Sequence, residues 1–461
     1  MAASDPEDRL TRAHWSWALF EWGRNPYVIL ISIYIFQPYV SAAIIGDPVE
    51  GQAIISSWHK LAGIIVAVTA PFLGAIADRT GRRKPLIALV LAIMAPSIFA
   101  LWWAAPAVQG GMPLAWIGAL VTIAGVCFAY TEVLHNSMLP YVAAPRVLAR
   151  VSGLGLALGN AASVLMLVAV LWFLALPGMV ALPGLPSAPL FGLEHARGEP
   201  SRITAPFVAL WLVIFALPLF VFAPDGRAGG QSMSAAVRDG LAAVLRTLSK
   251  LRQHRNVAFF LIARMFYADG KTAVLIFGGV YAAGVMGWGM IEMCVYGVVL
   301  SLFAVLGGLI GGELDSALGP KRAVVIEIAA TILCLAGMVS MAPSRMLFLP
   351  YEGGAVWEAP IMRTAPELAY LGLSCLIAVA ITAAFASSRT LMARLSPAGM
   401  EGELFGLYAL SGAATVWLGP LLVERFTRAF QSQEAGFASI GILLVVGLGL
   451  LLAVKPPPKP A

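Results

Sequence analysis

Gly74-Ala-Ile-Ala-Asp78-Arg79-Thr-Gly81-Arg82-Arg83-Lys84 joins two long apolar runs, residues 52–77 and 85–106. A carboxylate, a glycine turn and four cations within eleven residues cannot lie in hydrocarbon. The stretch reads as a short loop at a membrane surface, and its excess of Arg and Lys places that surface on the cytoplasmic side.

The rest of the chain fits. Of its 461 residues 60% are hydrophobic and 12% charged, with a mean hydropathy of +0.85. An average soluble domain is about half apolar and about a quarter charged. Only helices of about 20 residues or closed barrels satisfy their backbone in a bilayer, and the period-two alternation of a barrel is absent. Apolar runs bounded by charge or by Pro and Gly clusters fall at 15–44, 52–77, 85–106, 113–140, 150–175, 206–224, 256–284, 290–312, 322–343, 369–394, 404–424 and 436–454. The fold class predicted is an all-α integral membrane protein with twelve transmembrane helices in two pseudo-symmetric six-helix bundles.

Charge asymmetry sets the expected topology. With the N-terminus inside, Arg79, Arg82, Arg83, Lys84, Arg150, Lys321, Arg322 and the basic stretch before residue 256 fall in inner loops. The outer loops hold only Arg197, Arg202, Arg345, Arg363 and Arg428. Both termini are thus expected in the cytoplasm, with the protein in an inner or plasma membrane. The predicted organisation is a cytoplasmic segment 1–14, a first bundle 15–224, a linker 225–255, a second bundle 256–454 and a tail 455–461. Residues 1–11 are polar and mixed in charge, unlike a cleaved leader. In the linker Val237, Leu241, Val244, Leu245, Leu248 and Leu251 recur at helical spacing, with Arg246 and Lys250 roughly opposite. That suits an amphipathic helix on the inner leaflet, or a solvated linker helix.

Cys127, Cys294, Cys334 and Cys375 all fall inside apolar runs without Cys-x-x-Cys spacing or nearby histidines, so neither a disulfide framework nor a metal site is expected. The net charge of +6 is explained by loops on one side of a membrane, and nucleic acid is not an expected partner. No Walker sequence, haem ligand pair or Ser-His-Asp cluster is present, so no cofactor is expected and any energy comes from a gradient. Gly153-Leu-Gly155-Leu-Ala-Leu-Gly159 has no strand before it, and it reads with Gly307-Gly308 and Gly311-Gly312 as close helix packing. The expected partners are a small polar solute and lipid, and the chain is expected to be a monomer.

The two halves repeat. Asn136, Gly153-Leu154 and Gly159 align at constant offset with Arg389, Gly406-Leu407 and Gly412. The loop Gly311-Gly-Glu-Leu-Asp315-Ser-Ala-Leu-Gly319-Pro-Lys321-Arg322 echoes the opening motif. Halves that repeat in this way put a binding site at their interface near mid-membrane, with access alternating by rocking.

The Gly74–Lys84 loop resembles the signature between spans two and three of the major facilitator superfamily. A further set of segments resembles the vacuole effluxer family, the autophagy-related amino-acid exporters and their bacterial relatives. These are Trp17-Ala-Leu-Phe-Glu21-Trp22-Gly-Arg24-Asn25-Pro26-Tyr27, Leu139-Pro140 to Leu154, Phe266-Tyr267-Ala-Asp269-Gly270, and Ser388-Arg389 to Pro397 running on to Glu403-Leu-Phe405-Gly406-Leu407-Tyr408. The resemblance implies a twelve-helix transporter working by alternating access. The family usually carries Asp at position 21 and an Asn-Ser pair where this chain has Arg24-Asn25, so its solute is expected to differ from the neutral amino acids of eukaryotic members. Asp315-Ser316 stands where relatives often have two carboxylates.

Each intramembrane charge costs about 2.5–3.5 kcal/mol on insertion scales, so these groups are expected to face a wet cavity or one another. Glu21 and Arg24 are three apart on one face, as are Glu132 and His135, with Asn136 one turn from Glu132. Asp269 needs a partner from another helix, because Lys271 points elsewhere. The candidate solute contacts are Arg389, Arg24, Asn25, Asp269, Tyr267, Asn136 and Lys271, with Arg389 offering a planar fork to a carboxylate or phosphate. The candidate proton carriers are Glu21, Glu132, Asp269 and His135. Asp78, Arg79, Arg82, Arg83, Asp315 and Arg150 form a candidate cytoplasmic gate, whose competing reading is topology-setting charge. Asn25-Pro26 breaks the ladder of span one, either freeing carbonyls for a ligand or making a plain kink. His59-Lys60 is a weaker proton path, and Glu292 and Glu327 lie near span ends and receive no role.

The expected function is secondary transport of an amino acid or organic anion, in the direction of export and coupled to protons. A proton-coupled sugar or glycoside symporter of the same fold is the alternative. A membrane receptor would need a soluble module that the sequence lacks, and an intramembrane enzyme is the remaining reading from another class.

Overall fold

The computed structural model describes residues 10–80, 82–180, 183–225, 254–396 and 401–456. They carry α1 (Arg12–Arg24), α2 (Pro48–Thr80), α3 (Lys84–Ala100), α4 (Leu114–Val142), α5 (Pro145–Val170), α6 (Thr204–Phe222), α7 (Arg255–Val285), α8 (Met290–Leu318), α9 (Pro320–Val339), α10 (Ala365–Leu395), α11 (Glu401–Ala414), α12 (Leu418–Phe430) and α13 (Gln433–Ala453). Ten segments among the described residues are long and apolar enough to cross a membrane. The other two expected spans depart from that simple picture. One is α7, whose middle holds Arg264, Asp269 and Lys271, and the other is the eleventh, which is split into α11 and α12. The linker helix expected over 225–255 and the end of the tail lie outside the described residues. A two-stranded hairpin, Arg345–Met346 against Leu349–Pro350, sits in the loop before α10.

Both departures from straight helix follow from proline. Pro26 has no N–H to give the carbonyl of Trp22, so α1 stops at Arg24 and Tyr27–Tyr34 continues in wider turns. The Trp22 carbonyl instead accepts from Trp211 Nε1 of α6 at 2.9 Å. In the eleventh span Pro420 cannot bond the carbonyl of Val416, and its ring crowds that carbonyl. The sequence reading of one helix over 404–424 therefore gives way to two, with Thr415–Trp417 between them. Pro420 then sits in the first turn of α12, where a missing N–H costs nothing.

The described residues up to Phe36 and from Val68 to Asp225 form one compact unit, and Gln37–Ala67 with His254 onward form the other. In the second unit, small residues let α8 and α10 meet closely. A Cβ on Gly307 would lie 2.5 Å from the Val379 carbonyl oxygen, and one on Gly311 2.9 Å from Ala383 Cα. Cys127, Cys294, Cys334 and Cys375 are all buried. Gly311→Val should force α8 from α10 at a cost of about 1–3 kcal/mol. The check is thermal unfolding of the purified chain in detergent, where the variant is expected to melt several degrees lower.

Candidate functional site

In the first unit, α1 and α4 build a network around Glu21. Arg24 Nη2 donates to both Glu21 oxygens at 3.0 and 3.1 Å, and Arg24 Nε adds a bond of 3.3 Å. Arg24 Nη1 reaches Glu132 Oε2 at 3.5 Å, and the guanidinium lies over the Phe128 ring at 4.6 Å. His135 is fully buried, stacked on Trp17 with ring centroids 4.2 Å apart. Its Nδ1 is 3.0 Å from Glu21 Oε1 and its Nε2 is 2.9 Å from the Trp17 carbonyl. The expected pairing of His135 with Glu132 is thus replaced: His135 pairs with Glu21, and Glu132 with Arg24. Their spacing on α4 sets them on one face, but α1 supplies both partners.

The His135 contacts have a consequence for protons. A carbonyl can only accept, so Nε2 carries a hydrogen. The contact of Nδ1 with Glu21 is then a hydrogen bond only if a second proton lies between them, on the imidazole or on the carboxyl.

In the second unit the ionisable groups are less complete. Asp269, 3% exposed, accepts from the Gly419 backbone N–H at 2.8 Å through Oδ2, while its buried Oδ1 has no hydrogen-bond partner among the described residues. Gly419 is in the first turn of α12, so the carboxylate caps the helix that the break creates. Lys271, 1% exposed, points its ammonium at the Phe385 face 3.9 Å away rather than at Asp269. Glu327 of α9, 2% exposed, accepts from Ser387 Oγ at 2.9 Å, and its Oε2 has no partner among the described residues. Sequence reasoning passed over Glu327 because it lies near a span end, yet α9 buries it from its second turn. Its spacing of four from Thr331 gave no hint of this; only the packing of α9 on α10 does.

Of the other candidates, Tyr267 is buried and its hydroxyl meets Ser388 Oγ at 3.0 Å. Arg389 and Asn136, equivalent in the repeat, are both exposed, and each follows a buried residue bonded to span seven or span one. Asn25 packs against Gly159. The carbonyl that Pro26 frees accepts a hydrogen bond from Trp211 Nε1 at 2.9 Å. Arg264 is held by the Tyr408 carbonyl and Ser411 Oγ and lies over the Tyr408 ring. Among the gate candidates, the side chains of Asp78 and Arg79 lie outside the described residues, and Arg82 and Arg150 are exposed. Arg83 is buried, donating to Ser137 Oγ at 3.0 Å and to the Tyr141 hydroxyl at 3.4 Å. Asp315 is buried, with Oδ1 lacking a partner among the described residues.

The structure adds a polar network that the sequence did not reveal. Lys60 pairs with Glu424, Glu424 with Arg428 at 3.7 Å, and Arg428 with Glu50 at 3.6 Å. Beneath it Gln52 Nε2 donates to Thr427 Oγ1 at 2.8 Å and to the Gln433 carbonyl at 3.0 Å. The His59 ring meets Gln37 Oε1 at 3.0 Å. These partners are more than three hundred residues apart for the ion pair, so no spacing rule finds them.

A family model described as "Vacuole effluxer Atg22 like" matches residues 43–457. The chain belongs to that family. It is 22% identical over 453 residues to YxiO, an uncharacterized MFS-type transporter of Bacillus subtilis, covering 97% of this chain and 95% of that one. It is 22% identical over 274 residues to autophagy-related protein 22 of Yarrowia lipolytica, covering 55% of this chain and 44% of the fungal protein. Among solved structures it is similar to a D-xylose-proton symporter, with TM-score 0.66, 11% identity and coverage of 97% and 98%. It is also similar to the nucleoside transporter NupG, with TM-score 0.62, 15% identity and coverage of 96% and 99%. The fold is that of the major facilitator superfamily, and the chain is a multi-pass membrane transporter rather than an enzyme.

Breaking a buried pair by removing one partner costs about 3–5 kcal/mol, whereas an exposed pair contributes about 0–1 kcal/mol. Glu21→Ala should therefore lower the melting temperature in detergent sharply. Glu132→Gln, at a side chain 53% exposed, should leave it nearly unchanged. Equal effects of the two would contradict the assignment of Glu21 as the centre of the network.

Proposed function

We propose that the chain is a proton-coupled secondary transporter that exports a small zwitterionic or anionic solute, an amino acid or organic anion, by alternating access. The observation that carries this reading is the buried contact of His135 Nδ1 with Glu21 Oε1 at 3.0 Å, beside the fork of Arg24 on the same carboxylate. With Arg24 forked on Glu21 and reaching Glu132, the protonated network balances two carboxylates against two cations. Loss of the proton removes the Glu21–His135 bond and leaves one net negative charge in the network. Proton occupancy and the arrangement of α1 against α4 are thus linked.

The solute class rests on the second unit. Asp269 Oδ1 and Glu327 Oε2 are acceptors without donors among the described residues, and the Lys271 ammonium faces the Phe385 ring. Unused hydrogen-bonding capacity on buried charges suits a ligand carrying both signs, and Arg389, exposed next to Ser388, offers its fork to a carboxylate. The family's description as effluxers supports export. In this reading the basic loops face the cytoplasm of an inner or plasma membrane, and Asp78, Arg79, Arg82, Arg83, Arg150 and Asp315 serve the gate on that side.

The test is transport in proteoliposomes with an imposed pH gradient and a panel of labelled amino acids, organic acids and sugars. Gradient-driven accumulation of an amino acid or organic acid is expected, and of a sugar is not; accumulation of xylose alone would transfer the reading to a sugar symporter. His135→Gln should abolish gradient-driven accumulation while exchange of labelled for unlabelled solute continues. Arg389→Ala should weaken the apparent affinity for the solute about ten- to a hundredfold. Full gradient-driven accumulation by His135→Gln would overturn the coupling assignment.

A further inference from the structure

Away from the buried charges, α3 and α6 enclose a groove of about 680 Å³ lined only by apolar side chains. It exists because methyl groups stand where the neighbouring positions carry large side chains. Ala88 and Ala92 of α3, with Ala209 and Ala216 of α6, make it deep, and Leu217 and Trp103, both exposed, edge it. From Ala88 to Trp103 the groove runs about 22 Å at 1.5 Å per residue. That length accommodates a hydrocarbon chain reaching through one leaflet, about 15 Å.

One end of the groove is basic. Lys84 precedes Ala88 by one helical turn, and its Nζ donates to the carbonyl of Phe220 at 3.0 Å. Phe220 is itself a lining residue, so the ammonium stands at the mouth of the groove. An ammonium has three donors, and the Phe220 bond uses one. Arg82, two residues earlier, is exposed. The nearby carboxylate of Asp225 accepts the backbone N–H groups of Arg83 and Lys84 at 2.9 and 3.1 Å, which engages both its oxygens. The far end closes on Trp103, 53% exposed, a residue type that settles at membrane interfaces. A basic mouth at one interface, opening into an apolar trough, matches a molecule with a phosphate head and an acyl tail.

We propose that this groove binds one anionic diacyl phospholipid, with an acyl chain along Ala88, Ala92 and Ala216 and the headgroup phosphate held by Lys84 and Arg82. The site prefers phosphatidylglycerol over phosphatidylcholine, because the choline cation of the latter offsets the attraction of the two basic side chains. It is independent of the transported solute.

The test is native mass spectrometry of the purified full chain titrated with mixed micelles of phosphatidylglycerol or phosphatidylcholine, with thermal unfolding alongside. The wild type is expected to retain one phosphatidylglycerol at activation energies that strip phosphatidylcholine, and to melt higher with it. Lys84→Gln, which removes the ammonium at the mouth of the groove, should weaken the phosphatidylglycerol adduct about fivefold. Ala92→Phe should fill the groove and abolish the adduct while the melting temperature in pure detergent holds. Equal retention of the two lipids, or an adduct that survives both substitutions, would overturn the proposal.

Discussion

In hydrocarbon no water completes a broken backbone, so every freed N–H or C=O must be met from within the chain. That constraint decides where this transporter can interrupt its helices. The carbonyl of Trp22, released by Pro26, is met by the indole of Trp211. The N–H of Gly419, exposed by the break before α12, is met by the carboxylate of Asp269. The two solutions differ in kind. A tryptophan N–H is neutral and permanent, so the first break is a fixed bend. A carboxylate can change its charge, so the second break is held by a group whose hold depends on its proton.

The same difference runs through the charges of the two units. Around Glu21 the charges are of both signs and lie in contact: Arg24 forks on Glu21, His135 meets its other side, and Glu132 is 3.5 Å from Arg24. Around Lys271 they stand apart, and Asp269, Glu327 and Asp315 each keep a buried oxygen without a hydrogen-bond partner among the described residues. The repeated sequence thus carries two different chemistries on equivalent helices: span four meets span one through His135, and span ten meets span seven through Ser388 and Tyr267.

Much of this was legible in the residues. The Gly74–Lys84 loop and the apolar runs gave the membrane and the helices, because cations in loops and length in hydrocarbon are local properties. Glycine pairs such as Gly307 and Gly311 gave the close approach of α8 and α10, since only small side chains permit it. Pairing by i,i+3 spacing succeeded for Glu21 with Arg24, where both lie on one helix, and failed for Glu132 with His135, because a neighbouring helix offered each a better partner. Glu327, Glu424 and Trp211 escaped for one reason. Their roles depend on which helix lies alongside, and no spacing in the sequence encodes that.

The eleventh span shows how these elements act together. α12 is a helix of thirteen residues that packs along α13 and carries polar attachments to α7 and α2. At its start Gly419 is held by Asp269 through one hydrogen bond to a carboxylate, worth about 1.5–3 kcal/mol while the group is ionised. Along its length Thr427 receives Gln52, and Glu424 and Arg428 pair with Lys60 and Glu50. The buried bonds of Gln52 contribute about 1 kcal/mol each, and the half-buried Lys60–Glu424 pair adds to them. The turn between α11 and α12 is itself bonded, with the Thr415 carbonyl accepting from Leu418 N–H and Thr415 Oγ1 donating to the Met265 carbonyl at 2.8 Å. The break that Pro420 imposes is thus met by α7 at the start of α12 and by α2 along its length, which is how the chain keeps an interrupted helix satisfied in hydrocarbon.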